Sequence, residues 1–276
     1  TYDAVGRIAA SVQRTEGVDY PFEYRYYKGW GLRQVKYPSG RWVRYTPDAA
    51  GRAVSVEGLT NGEALEKAYW TGAQYAPQGA LKQVTLGSSP ALFQHTRFNA
   101  RQQVTNIKVG SSGSYTDAAA SDRLGITFSY GANNNGNVLT QVIQAPGGSF
   151  AQTYNYDPLK RLCSVREVQT TAPWGPHSCG DMQGLFGGES WRQTFRFDRF
   201  GNQWVAQHLG ANMPYSGLRP TQQSNINAAN NRLAEVANQI AFDAAGHQTR
   251  HGGWTLAYDA EGRIETATPS SGAAAS

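Results

Sequence analysis

The chain has 276 residues, enough to bury a sizeable core, and 31 of them are glycine. Aromatic residues make up 12% of it and charged residues only 16%, a balance typical of short strands joined by glycine turns that excludes a helical bundle. The net charge of +5 comes from basic residues scattered singly, so we expect no nucleic-acid partner. No apolar segment approaches the ~18 residues needed to cross a bilayer, so we expect no membrane span.

Residues 1–57 predict nearly continuous hairpins, with strands at 7–14, 22–27, 32–37, 41–45 and 53–57. The next stretch is ambiguous. Asn61-Gly62 is typical of a tight hairpin, residues 63–68 also fit one helical turn, and the repeat context favours strands on either side. We therefore expect the regular pattern to be interrupted by an insertion near 58–70.

Alternating strands are predicted again at 81–86, 103–109, 126–130, 138–144 and 191–197, and tight hairpins at 230–268. Small, polar or irregular stretches predict further insertions near 110–123, 164–190 and 210–228; the first is expected to be a loop or a single helical turn. The sequence thus predicts a single β-hairpin array over 1–268 and a flexible tail at 269–276.

One short motif recurs along the chain: an aromatic residue, Asp, two free positions, Gly, then Arg or a polar residue. The aspartate is expected to accept backbone N–H groups, and the glycine to close a type I turn in the left-handed conformation. Near residue 157 the glycine closure is replaced by Pro158-Leu159-Lys160. The residues assigned to this turn motif are Tyr2, Asp3, Gly6, Arg7, Tyr156, Asp157, Phe197, Asp198, Gly201, Phe242, Asp243, Gly246, Tyr258, Asp259, Gly262 and Arg263.

The repeated unit resembles the YD repeat of RHS proteins, large bacterial secreted or surface polypeptides with relatives among toxin-complex C components and teneurins. The complete units at residues 2–7 and 258–263 carry the resemblance best. It implies an all-β fold in which antiparallel hairpins form a curved or spiralling sheet, shell- or barrel-like. It also implies a secreted or cell-surface structural scaffold. Such a scaffold encapsulates a toxin cargo, forms an extension or serves for display.

Two family features are missing from the sequence. Family members often end in an Asp-Pro-x-Gly core motif linked to self-cleavage, whereas Asp157-Pro158 is followed here by Leu159-Lys160. No variable toxin domain follows residue 268. The resemblance therefore implies repeat scaffold alone, whose partners are further copies of itself or the rest of a longer parent chain.

The chain has two cysteines, Cys163 and Cys179. A disulfide between them would close a loop of about 15 residues and stabilise the fold by roughly 3 kcal/mol. The alternative is two unpaired thiols. The resemblance to secreted proteins favours the bridge.

Candidate catalytic and metal-binding groups are sparse. His247 and His251 would lie about 13 Å apart on an extended strand, too far to share one metal ion. His177 lies between the two cysteines without an evident fourth ligand. The turn aspartates recur because each turn needs one, so no pair of carboxylates stands out as catalytic. We expect no cofactor and no enzymatic activity.

The tryptophans motivate an alternative function, a carbohydrate-binding or adhesion module in which flat rings stack on sugars of a glycan. The candidate platforms are Trp30, Trp42, Trp204 and Trp254. The competing interpretation is that these rings pack on the faces of the sheet or at the hairpin rims.

Overall fold

The computed structural model describes residues 1–29, 31–170, 179–180, 184–185, 187–210, 220–235 and 239–269. The chain divides into two compact units. The first comprises Thr1–Tyr130 and Gln141–Phe150, and the second comprises Gly131–Thr140 and Ala151–Ser276.

The first unit is a succession of strands in which each pairs with the next. Its strands are β1 (Ala10–Thr15), β2 (Val18–Tyr26), β3 (Leu32–Lys36), β4 (Trp42–Pro47), β5 (Ala53–Thr60), β6 (Ala64–Tyr75), β7 (Leu81–Leu86), β8 (Leu92–Phe98), β9 (Val104–Gly110), β10 (Leu124–Ser129) and most of β11 (Thr140–Ala145).

The second unit continues this pattern with most of β12 (Gly148–Tyr156), followed by β13 (Leu162–Val168), β14 (Glu189–Phe197), β15 (Gln203–Gly210), β16 (Ile226–Asn227), β17 (Arg232–Leu233), β18 (Ile240–Phe242), β19 (Gln248–His251), β20 (Trp254–Tyr258) and β21 (Ile264–Pro269). Strands β1–β15 follow one another in chain order in one sheet, β16–β17 form a hairpin, and β18–β21 form a four-stranded sheet. Among the described residues no helix exceeds four residues. The all-β prediction is confirmed.

Consecutive antiparallel strands place their connections alternately at two edges. The turns that begin at a motif aspartate lie at one of these edges within each unit, here named the turn edge: those at Asp48, Asp157, Asp198, Asp243 and Asp259 join an even-numbered strand to the next odd-numbered one, and the Asp3 turn leads into β1. The two longest connections of the sheet follow β9 and β13, and both leave and rejoin the sheet at the opposite edge. The framework turns thus share one edge, which also carries the longer connection 130–139 after β10.

Residues 58–70 are not an insertion. They are the end of β5, a three-residue connection and the start of β6. Asn61 and Gly62 both have positive φ (52° and 79°), as a hairpin turn of this kind requires, and no helical turn forms at 63–68.

The other predicted insertions are narrower than expected. A short 3-10 helix, Ala118–Ser121, lies in the connection after β9, and the Asp117 side chain caps it by accepting a hydrogen bond from the Ala119 N–H. β13 and β14 extend into the predicted insertion at 164–190. Much of 210–228, and residues 270–276 of the predicted tail, lie outside the described residues.

Buried apolar side chains come from the central strands of each unit. In the first unit they include Val35, Trp42, Val43, Leu59 and Val84. In the second they include Ala151, Cys163, Val165, Val168 and Val205. In the described part of the chain, no helix is long and apolar enough to cross a membrane.

Candidate functional site

Each motif aspartate opens a turn of one common geometry, which Asp3 illustrates. Its N–H donates to the carbonyl of Arg7 (2.8 Å), and its carbonyl accepts from the N–H of Gly6 (3.1 Å). One carboxylate oxygen accepts from the N–H of Arg7 (2.9 Å), and the other accepts from the Arg7 guanidinium (2.7 Å). The framework recurs at Asp48, Asp157, Asp198, Asp243 and Asp259.

The residue that closes each turn is left-handed. Gly6 has φ +84°, and Gly201, Gly246 and Gly262 have φ between +75° and +95°. A side chain at such a position is strained, which accounts for glycine there. In the Asp157 turn, Lys160 occupies this position with φ +61°, so the position can also hold a residue that has a Cβ atom.

Hydrogen bonds hold the carboxylates in their charged form. The main-chain N–H of Arg7 lowers the pKa of Asp3, and that of Arg263 lowers the pKa of Asp259. Partial desolvation raises the pKa of Asp157, but hydrogen bonds from Arg161 outweigh it and the net shift is downward. Carboxylates so occupied by their own turns are poorly suited to act as general acids or bases.

In four of the described framework turns, the fifth residue also stacks on the aromatic residue that begins the next turn of the turn edge. The guanidinium carbon of Arg7 lies 4.5 Å from the ring centroid of Tyr26, and that of Arg52 lies 4.5 Å from the ring of Tyr75. In the second unit the corresponding pairs are Arg161 over Phe197 (4.3 Å) and His247 stacked on Tyr258 (4.7 Å).

Where that aromatic is tyrosine, its hydroxyl ties the two turns together. The Tyr26 hydroxyl donates to the carbonyl of Ile8 (2.9 Å), the residue directly after Arg7. The same bond joins Tyr75 to Ala53, Tyr130 to Val104, Tyr156 to Val138 and Tyr258 to Gln248. We name the aspartate, the fifth residue of its turn and the following aromatic a clasp.

Sequence reasoning assigned the motif aromatic to a strand face and missed the clasp. It also missed Tyr26, which begins the turn between β2 and β3. In the Asp48 turn, Pro47 stands in the aromatic position. The available signal was the recurrence of a cation at the fifth turn position with a motif aromatic at the end of the following hairpin.

Cys163 and Cys179 are joined by a disulfide, with their Cα atoms 5.2 Å apart. Cys163 is 3% exposed on β13, one of the most buried strands of the second unit. Arg166 and Arg192 are buried nearby, and both form ion pairs with the buried carboxylate of Glu189. The bridge therefore fixes the connection after β13 to a strand whose polar side chains are already removed from water.

The tryptophan candidates differ in their accessibility. Trp42 is only 5% exposed, and the Arg25 guanidinium lies 4.1 Å from its ring centroid, so its proposed role as a glycan platform is wrong. Trp204 is half-buried, and Trp254 is 41% exposed. Trp30 lies outside the described residues.

The two strand histidines have separate partners. The Nδ1 atom of His247 lies 3.0 Å from the Asp243 carboxylate, and that of His251 lies 3.1 Å from the amide of Gln248. Across the described ranges, no three His, Cys, Asp or Glu side chains converge as metal ligands would. His177 lies outside the described residues.

No family model and no curated protein matches the chain. Its fold is similar to solved structures. A crystal structure of TcdB2-TccC3-Cdc42 matches 98% of this chain with a TM-score of 0.64 and 16% identity. One of TcdB2-TccC3-TEV matches 99% with a TM-score of 0.66 and 18% identity. These are toxin-complex structures whose TccC3 part carries RHS/YD shell repeats.

The chain has the fold of an RHS/YD-repeat protein. The resemblance inferred from the Tyr-Asp-x-x-Gly-Arg unit is therefore confirmed at the level of the fold. The chain spans only 14% of the length of either matched chain, about one seventh.

Proposed function

We propose that the chain is a non-enzymatic structural scaffold, a stretch of an RHS/YD-repeat shell or fibre that encapsulates, extends or displays. One observation carries the proposal: the turn edge repeats a single framework in which each motif carboxylate serves its own turn. The motif aspartates, which could otherwise suggest catalysis, form the hydrogen bonds of the turns. The clasps join successive hairpins, each of which alone would be marginally stable.

The partners proposed for this scaffold are further copies of itself or the rest of a longer parent chain, with a toxin as the enclosed cargo. The similarity to TcdB2-TccC3 structures supports this class of assembly. We also propose a secreted or cell-surface location. The disulfide supports it, since such bonds persist in oxidising compartments.

Native-state hydrogen exchange of the full chain tests the scaffold role. In a rigid scaffold the strands of each unit unfold rarely and as one cooperative unit. The backbone amides of β3–β5 and of β13–β14 should therefore exchange slowly and together. Exchange of these strands within seconds, independently of one another, would contradict a scaffold.

The carbohydrate-binding alternative now depends chiefly on Trp254, the most accessible of the described candidate platforms. If a polysaccharide stacks on it, tryptophan fluorescence should respond to the ligand, and Trp254→Ala should abolish the response. Trp42→Phe is the matched control, because the buried ring of Trp42 cannot reach a sugar. Fluorescence that no polysaccharide changes would exclude this alternative.

A further inference from the structure

The turn between β6 and β7 keeps the backbone of the aspartate framework without its side chains. The N–H of Ala76 donates to the carbonyl of Ala80 (2.8 Å), and the N–H of Gly79 donates to the carbonyl of Ala76 (2.8 Å). Ala76 therefore stands where Asp48 stands in the preceding framework turn, and Ala80 takes the fifth position. This turn has neither the carboxylate nor the cation of a clasp.

The missing cation leaves room beside the next aromatic residue of the turn edge. Continued towards that edge, the register between β7 and β8 places Ala80 opposite Phe98, as that between β13 and β14 places Arg161 opposite Phe197. The Arg161 guanidinium covers the ring of Phe197, but the side chain of Ala80 ends at its Cβ atom. A cavity of about 280 Å³, here named the β6–β7 cavity, lies at this position and is lined by Phe98 and by residues of the alanine turn.

The charged residues that line the β6–β7 cavity are both basic. Lys82 and Arg97 line it, and no Asp or Glu is among its described lining residues. The Arg97 guanidinium lies over the ring of Tyr115, 4.2 Å from its centroid. Lys82 is half-buried, and its ammonium has no hydrogen-bond or ion-pair partner in the described part of the chain. A cation removed from water in this way is stabilised by an anion, so the cavity favours an anionic ligand.

The other lining groups suit a ring that carries hydroxyls. The side-chain amides of Gln78 and Gln102 have no hydrogen-bond partner among the described residues, and an amide both donates and accepts, as a sugar hydroxyl does. Tyr75 and Phe98 supply apolar ring faces against which the C–H groups of a sugar can pack. The volume lies near the lower end of the ~300–1,000 Å³ of ligand pockets, which suits one sugar ring.

We propose that the β6–β7 cavity binds an acidic monosaccharide, either free or as one residue of an acidic polysaccharide. The sugar carboxylate pairs with the Lys82 ammonium, and the hydroxyls form hydrogen bonds with Gln78 and Gln102. The ring packs against Phe98, at the position that the cation of a clasp occupies elsewhere. This ligand site goes beyond the scaffold function and does not depend on Trp254.

Isothermal titration of the full chain with galacturonate tests the proposal. Galactose has the ring without the carboxylate, and acetate has the carboxylate without the ring. Galacturonate should bind saturably, and galactose and acetate should each bind at least fivefold more weakly. Polygalacturonate distinguishes the two sources of the ligand: affinity per site at least equal to that of galacturonate indicates a polysaccharide, and weaker affinity indicates the free sugar acid.

Two variants and a matched control assign the binding to the β6–β7 cavity. Lys82→Met should lower the affinity for galacturonate at least fivefold and leave the affinity for galactose unchanged, because it removes only the charge. Lys67→Met is the control, since Lys67 is exposed on β6 and does not line the cavity. Ala76→Asp with Ala80→Arg should restore a clasp over Phe98 and abolish binding without lowering the melting temperature, so misfolding cannot explain the loss.

Absence of saturable galacturonate binding would overturn the inference, and so would an unchanged affinity in Lys82→Met. Acetate binding as tightly as galacturonate would also overturn it, because the site would then recognise only a carboxylate. Slow and cooperative hydrogen exchange in β3–β5 would still support the scaffold function in any of these cases.

Discussion

The connections between strands differ in regularity at the two edges of the sheets. At the turn edge, one five-residue framework recurs, with its carboxylate, left-handed closing residue and clasp. At the opposite edge, the connections range from the three-residue connection 61–63 to long segments with a 3-10 helix or a disulfide. Connections at both edges contact neighbouring hairpins, as the Gly62 carbonyl does in accepting from the Gln34 side chain, but only the turn edge repeats one framework.

Acid should weaken the turn edge most, because it acts on all six framework aspartates together. Their pKa values are lowered in the folded chain, so their stabilisation is complete above the unfolded pKa of about 4 and is lost as pH falls below it. The melting temperature should be level near neutral pH and fall below pH ~4.

Asp48→Asn tests whether the turns cause this acid sensitivity. Asn99 shows that an asparagine fits the framework, since its side-chain oxygen accepts from the N–H groups of Arg101 and Gln103. The variant should fold and lose less stability between neutral pH and pH ~3 than the parent chain. An identical pH profile would assign the acid sensitivity to groups outside the turns.

Removal of the disulfide should be the largest single effect at the opposite edge. Cys163→Ala with Cys179→Ala releases a bridge between residues 16 apart and should lower the free energy of unfolding by about 3 kcal/mol. Chemical denaturation gives the value. Reductant should destabilise the parent chain equally and leave the double variant unaffected; a parent chain insensitive to reductant would contradict the bridge.

A single glycine of the turn edge should matter more than one at the opposite edge. Gly262→Val forces a β-branched side chain into φ +75° and brings its Cβ within 3.0 Å of His247, which should cost about 1–3 kcal/mol. Gly147→Val is the control, because that glycine has no positive φ and open space around its Cβ. Equal melting temperatures for the two variants would refute the assigned turn geometry.

The hydroxyl bond of one clasp should contribute a smaller amount. Tyr75→Phe removes the bond to the Ala53 carbonyl and keeps the ring over Arg52, so thermal unfolding should report a loss of about 1 kcal/mol. Tyr20→Phe is the control, because the exposed hydroxyl of Tyr20 has no partner among the described residues. Equal melting temperatures for the two variants would show that the hydroxyl bond of Tyr75 does not stabilise the fold.

The local half of this structure could be predicted from the sequence. The Asp and Gly positions follow rules that operate within five residues, so the turns and the all-β class were accessible without coordinates. Contacts between hairpins depend on register, which the turn motif does not encode. The ring of Tyr26 therefore could not be assigned to Arg7, and Trp42 could not be recognised as buried beneath Arg25.

The central claim is that clasps couple successive hairpins, and a double-mutant cycle on Arg52 and Tyr75 measures this directly. Arg52→Ala, Tyr75→Leu and the double variant are compared by chemical denaturation, with Arg52→Ala and Tyr130→Leu as a control pair that shares no contact. We predict a coupling of about 0.5–1 kcal/mol for the first pair and additivity for the control. Additivity of Arg52 and Tyr75 within ~0.3 kcal/mol would contradict the account.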